Sequence, residues 1–211
     1  MRTHPDESPP DSEIDGHSNS DHSNMYPDID PAEHGPVGGP VNGPMRRIKV
    51  RDGIRVVAFT GTLLGHITSE RPDSLHWTEL SIYRKEDGLF IAHRVGVSCV
   101  AHRADCSAIE GKNLPAVADM KSDEFATEDR RPCPVCRPDI ASEAAADPAS
   151  IRGETDRHWV GICKDAFSLI SALHTNRHGV RSLSGLASAA LSQAAEHDAQ
   201  IAAALNTELE V

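Results

Sequence analysis

The stretch Trp77-Thr78-Glu79-Leu80-Ser81-Ile82-Tyr83-Arg84-Lys85-Glu86-Asp87-Gly88-Leu89-Phe90-Ile91 decides the fold class. Trp77, Glu79, Ser81 and Tyr83 fall on one side of an extended chain, and Thr78, Leu80 and Ile82 on the other. That period of two, in residues that favour a pleated surface, predicts a strand from Trp77 to Arg84. Asp87-Gly88 then supplies a tight turn, because Gly accepts a positive φ, into a strand from Leu89 to Arg94. Gly96 separates this from a short strand, Ser98 to Ala101. Upstream the pattern repeats: Ile48-Lys49-Val50 alternates, Asp52-Gly53 turns, and Ile54 to Leu64 reads as a longer strand. Short strands joined by hairpins predict a small antiparallel sheet over residues 45–140.

Both ends of the chain read differently. Residues 1–44 hold eight of the fourteen prolines and nine acids against Arg2 alone, with few apolar residues. A segment that buries so little apolar surface cannot offset its ordering entropy, so a disordered acidic tail is expected there. Its histidines, His4, His17, His22 and His34, are too scattered to define a site. Residues 141–153, mostly Ala, Ser, Asp and Pro, read as a linker or short helix. Residues 154–211 read as a helical hairpin. Trp159, Ile162, Cys163, Phe167, Ile170 and Leu173 recur largely at steps of three and four, and Leu186, Ala190, Leu191, Ala194, Ile201 and Leu205 form a second stripe, with a break expected at His197-Asp198. The class is therefore α+β.

Chemistry concentrates in His102-x3-Cys106 and, twenty-six residues on, Cys133-Pro134-Val135-Cys136. Two close pairs of soft or borderline ligands match the needs of tetrahedral zinc, and a C-x2-C turn stiffened by proline brings two thiolates to one ion. The fourth ligand is His102, or in its place His93 or another side chain. A C-P-x-C redox motif is the competing reading, but Pro132 and Pro138 flank the pair and no βαβ pattern precedes it. A deaminase would show H-x-E before P-C-x-x-C, and here His102 is followed by Arg103-Ala104. Four protein ligands would make the zinc structural; a water replacing His102 would make it catalytic, in a hydrolase-like enzyme.

Phe59-Thr60-Gly61-Thr62, the Trp77 to Arg84 strand, His93-Arg94-Val95-Gly96, the two ligand pairs and the Ala-rich end together resemble a group of small zinc-binding proteins of actinobacteria and their plasmids and phages, which carries no assigned activity. The resemblance spans roughly Val57 to Leu205. It implies a zinc site at the same four residues and no particular reaction.

No apolar run approaches the length of a signal peptide core or a membrane span, which leads to the expectation of a cytoplasmic protein with reduced cysteines. Cys99 and Cys163 sit among apolar neighbours as buried thiols. The net charge of −11 divides unevenly, as −8 over residues 1–45, +4 over 46–104, −2 over 105–138 and −5 over 139–211. Global acidity argues against indiscriminate binding of polyanions. The sheet is nonetheless basic, with Arg46, Arg47, Lys49, Arg51 and Arg55 along its first hairpin, and the acidic tail could screen it. Nucleic acid bound through that hairpin is one expected partner. A protein docked on the helical hairpin is another. Trp77, Tyr83, Phe59 and Phe90 could stack on bases, although core packing is the default for the few large side chains available.

Overall fold

The structure, a computed structural model, describes residues 40–120, 130–177 and 180–209. Its strands are β1 (Arg46–Asp52), β2 (Arg55–Thr68), β3 (His76–Lys85), β4 (Phe90–Ser98), β5 (Val100–Arg103), β6 (Arg131–Pro132), β7 (Ile151–Gly153), β8 (Arg157–Cys163), β9 (His174–Arg177) and β10 (Val180–Leu183). The helices are α1 (Ile140–Ala146), α2 (Ala166–Leu173), α3 (Gly185–Ala195) and α4 (Ala199–Leu209). A curled antiparallel sheet in the order β1-β2-β3-β4-β8 carries the α+β fold, and a small sheet in the order β6-β5-β7 stands at the end of β4. The expected tail lies outside the described residues up to Gly39. From Pro40 the chain is already engaged, since Asn42 N–H donates to Leu63 O at 2.7 Å and Val41 packs against the core.

The alternation of the opening strands sorts their side chains into two cores. On one face Leu64, Leu80, Ile82, Phe90 and Ala92 meet Leu169, Ile170 and Leu173 of α2, Ala187, Ala190, Leu191 and Ala194 of α3, and Ile201 of α4. On the other, Ile48, Val50, Phe59, Leu63, Tyr83 and Ile91 face one another inside the curl, with Phe59 and Tyr83 edge to face at 5.4 Å between ring centres. Each fully buried aliphatic side chain here contributes about 1.5–3 kcal/mol. Phe59, Tyr83 and Phe90 are thus core residues and present no stacking surface.

Two glycines shape the sheet. β2 pairs with β1 up to Gly61 and with β3 from Gly61 onward, so the β1–β2 ribbon projects beyond β3 and curls over the inner face. Its tip reaches β8, where Gly53 N–H donates to His158 O at 3.1 Å and Val160 N–H donates to Asp52 Oδ1 at 3.2 Å. A Cβ on Gly61 would come within 2.6 Å of Arg84 O. At Gly65, beside a β-bulge, a Cβ would stand 2.7 Å from Ala190 O and 3.2 Å from Ala194 N. The Ala-rich face of α3 therefore lies directly against the backbone of β2, a proximity larger side chains would forbid.

Two sequence expectations are corrected. The strand beginning at Leu89 does not stop at Arg94 but runs through Gly96 to Ser98, and the break falls at Cys99. Residues 141–153, read as a linker or short helix, hold most of the short helix α1 and then all of β7. Trp159, Ile162 and Cys163 are not helical: Arg157–Cys163 is β8, paired with β4 from Phe90↔Cys163 to Gly96↔Arg157. Its β-branched and aromatic residues satisfied helical spacing by coincidence, and a sheet edge decided between the two periods. The helix starts only at Ala166, capped by Asp165, whose Oδ1 accepts from Ser168 N–H at 2.7 Å while Ser168 Oγ accepts from Asp165 N–H. The expected break between α3 and α4 is present, and Asp198 Oδ1 accepts from Gln200 N–H and Ile201 N–H there.

Inside the curl His93 is only 5% exposed, and its Nε2 has no hydrogen-bond partner among the described residues. Its ring lies parallel to that of His158, 5.7 Å away between centres. Burial, and then the His158 ring, push the His93 imidazole down to about 4 against the pull of Asp52. The unfolded chain, with His93 near 6.5, therefore takes up the proton first, so its contribution is complete above pH 6.5 and lost as pH falls toward 4. Chemical denaturation at pH 7.5 and 4.5 should show a His93→Leu variant losing ~2–3 kcal/mol less stability than the wild type over that interval. Equal losses would show that His93 does not titrate in this way. Gly65→Ala should cost about 1–3 kcal/mol at neutral pH in the same assay, because neither contacting atom is a movable side-chain end.

Candidate metal centre

The end of β4 delivers the chain into β5, and β5 organises the site. β6 lies parallel to β5 with Val100 opposite Arg131 and Ala101 opposite Pro132. Continuing that register, Cys133 N–H donates to Ala101 O at 2.8 Å, which sets Cys133 level with His102. On the far side β7 pairs antiparallel, His102 opposite Arg152. Cys106 follows in a turn closed by its own N–H on Arg103 O at 3.0 Å. After Cys136 the chain turns back through Arg137, whose N–H donates to Cys133 O at 2.8 Å and whose φ is +42°. That left-handed conformation is one an Arg side chain adopts at a cost, and the closing of the knuckle imposes it.

All four sequence-predicted ligands come together: one ligand atom from each of His102, Cys106, Cys133 and Cys136 lies within 4.8 Å of every other. The first three are buried and Cys136 is half-buried. His93, the alternative to His102, belongs to the main sheet and is not in this group. Backbone amides turn toward two of the sulfurs, with Val135 N–H 3.4 Å from Cys133 Sγ and Arg103 N–H 3.3 Å from Cys136 Sγ. Such donors favour thiolate. Burial pushes the Cys136 thiol up to about 11, whereas at Cys133 neighbouring donors outweigh burial and hold the thiol below its ordinary value.

No local signal marks Glu154, which lies fifty-two residues from its partner His102. Its Oε1 stands 3.2 Å from His102 Nε2, and its Oε2 2.8 Å from both His76 Nε2 and Ser98 Oγ. Burial would raise this carboxyl, yet the hydrogen bonds from His76, Ser98 and His102 prevail and hold it at about 2. An ionised carboxylate only accepts, so His102 must carry its proton on Nε2. In the neutral ring that leaves Nδ1 bare, and this buried atom has no hydrogen-bond partner among the described residues. A bare imidazole nitrogen beside three sulfurs is what a metal ion needs, and a carboxylate behind the ring fixes the tautomer. The four residues thus form a cluster compatible with a bound metal ion. On the other side of His102, Arg103 grips Glu143 of α1 through Nε at 2.9 Å and Nη2 at 2.7 Å, joining the helix after the knuckle back to β5.

Comparisons with protein-family models, curated proteins and solved structures give no match, so the geometry carries the functional reading.

The other sequence candidates are dispersed. Arg47, Lys49 and Arg51 share the outer face of the β1–β2 ribbon, opposite Thr60, Ala58 and Val56. Arg46 lies on the inner side with Ile48, and Arg55 is exposed at the tip. Cys99 and Cys163 are buried apart from the cluster, as expected. His174 Nδ1 is 2.9 Å from Ile170 O, at the carboxyl end of α2. His178 lies outside the described residues.

Glu154→Gln should weaken metal affinity about 10–100-fold, measured by competition with a chromophoric chelator, while leaving one metal per chain at saturation. Unchanged affinity would show that the carboxylate does not orient His102.

Proposed function

We propose that this protein is a zinc-clipped binding module. The bare, buried Nδ1 of His102 facing three thiols carries the reading. Three sulfurs and one imidazole nitrogen suit zinc, and as four protein ligands they fill a tetrahedral sphere and leave no position for an activated water. The metal is therefore structural: it ties the end of β4 and β5 to the knuckle and, through Arg103 and Glu143, to α1. Thiolate ligands of this kind belong in a reducing compartment, in keeping with a cytoplasmic protein.

The surface best suited to a partner is the outer face of the β1–β2 ribbon. Arg47, Lys49 and Arg51 are aligned there at two-residue steps, Arg55 extends the row at the tip, and Ile54 and Val56 are exposed beside them. Cations spaced along a strand match the phosphates of a nucleic acid, which supplies the first partner to test.

Metal analysis of the purified protein should find one zinc per chain. Cys133→Ser and Cys136→Ser should each lose most of it; zinc retained in both would refute the assignment. Binding of a fluorescent single-stranded oligonucleotide should weaken steeply between 50 and 200 mM salt, and Arg47→Gln with Arg51→Gln should make that dependence shallower by roughly one unit per phosphate contact removed. An affinity indifferent to salt would exclude phosphate contacts.

A further inference from the structure

The cationic ribbon and the acidic amino-terminal segment are parts of one chain, and the connection between them is short. Residues 1–39 contain nine Asp and Glu against Arg2 alone. Residues 46–55 contain five cations and one acid, Asp52, one of whose carboxylate oxygens accepts from Val160 N–H. The two segments are separated by Pro40 to Met45, anchored where Asn42 N–H meets Leu63 O, and the chain passes directly from there into Arg46. A chain spans up to about 3.3–3.6 Å per residue. Acids of this segment are therefore within reach of β1, a strand of roughly 20 Å, Glu33 of its start and Asp28 of its far end. Tethering makes the encounter intramolecular, with an effective concentration on the order of millimolar, far above that of any separate acidic ligand of equal strength. The helices α2, α3 and α4 pack on the opposite half of the sheet, against Leu64, Leu80, Ile82, Phe90 and Ala92, while on the ribbon Arg47, Lys49 and Arg51 are half-buried beside the exposed Ile54 and Val56.

We propose that the acidic segment 1–39 docks in cis on the outer face of the β1–β2 ribbon, across Arg47, Lys49 and Arg51, and competes there with nucleic acid. This deepens the reading of the ribbon as a phosphate-binding face and rests on it for the competition, but not for the docking itself.

Two measurements on the full chain test it. The first is zero-length carbodiimide coupling of carboxylates to amines, read by peptide mass mapping. At low salt, carboxylates of residues 1–39 should couple to Lys49 in preference to Lys85, Lys112 and Lys164, within single chains as judged from a mixture of light and heavy isotope-labelled protein, and the product should fade at ~0.5 M salt. Coupling spread evenly over the lysines, or none to Lys49, overturns the docking whether or not any nucleic acid binds. The second compares oligonucleotide affinity of the wild type with a full-length variant whose nine acids in residues 1–39 are changed to the matching amides. The affinity should rise about ten-fold or more at low salt. That gain should vanish when Arg47→Gln, Lys49→Gln and Arg51→Gln are added. A gain that survives the triple change is a general charge effect and overturns the competition. If the neutralised chain binds the oligonucleotide no better with its ribbon cations than without them, the ribbon is not the phosphate face, and the coupling result alone then decides the docking.

Discussion

The described residues between β5 and β7 are organised around four ligand groups brought to one point. Two small cores lie under the described residues from Ala104 to Ser150: Ala101, Val117 and Ile151 form one, with Met120, Ile140 and Ala144 against them, and Val100, Cys106, Ile109 and Cys133 form the other, with Leu75, Leu114 and Cys136 against them. Three of the seven side chains in the second are thiols of the cluster. Without a bound ion such a core offers few kilocalories, whereas structural zinc supplies about 10–16 kcal/mol of apparent binding free energy at neutral pH. The ladder from β6 to β5 and the Glu154 carboxylate complete the arrangement: one sets Cys133 level with His102, the other points the correct nitrogen of His102 at it.

The main sheet has a different logic. It buries both faces, one under Ala-rich helices and the other under its own first hairpin. The helices approach closely because Gly65 offers no side chain opposite Ala190 and Ala194. The hairpin folds over because β2 changes partner at Gly61. The consequence for function is geometric. Folding the ribbon inward hides Ile48 and Val50 and turns Arg47, Lys49 and Arg51 outward, so one alternating strand both closes the inner core and presents a cationic face.

Alternation made the first four strands legible, and ligand spacing made the quartet legible, because both are local signals. What escaped the sequence was non-local. Arg157–Cys163 fits either period, and only the free edge of β4 made it a strand. Glu154 is an ordinary acid in the sequence; three hydrogen bonds from residues brought in by β3, β4 and β5 give it its role. His93 sat on a predicted strand, but its parallel contact with His158 depends on a strand that had been read as helix. The Ala-rich stripe of α3 was legible as a helix face, but the glycine on which it packs is distant in sequence and carried no local mark.

Three sulfurs and one imidazole nitrogen should close the sphere of the bound ion. X-ray absorption at the zinc edge of the metal-loaded, full-length protein tests it most directly. The first shell should fit three sulfurs at about 2.3 Å and one nitrogen at about 2.0–2.1 Å, with the outer-shell scattering of a single imidazole. A shell with fewer than three sulfurs, or with a water oxygen in place of the imidazole, would contradict it.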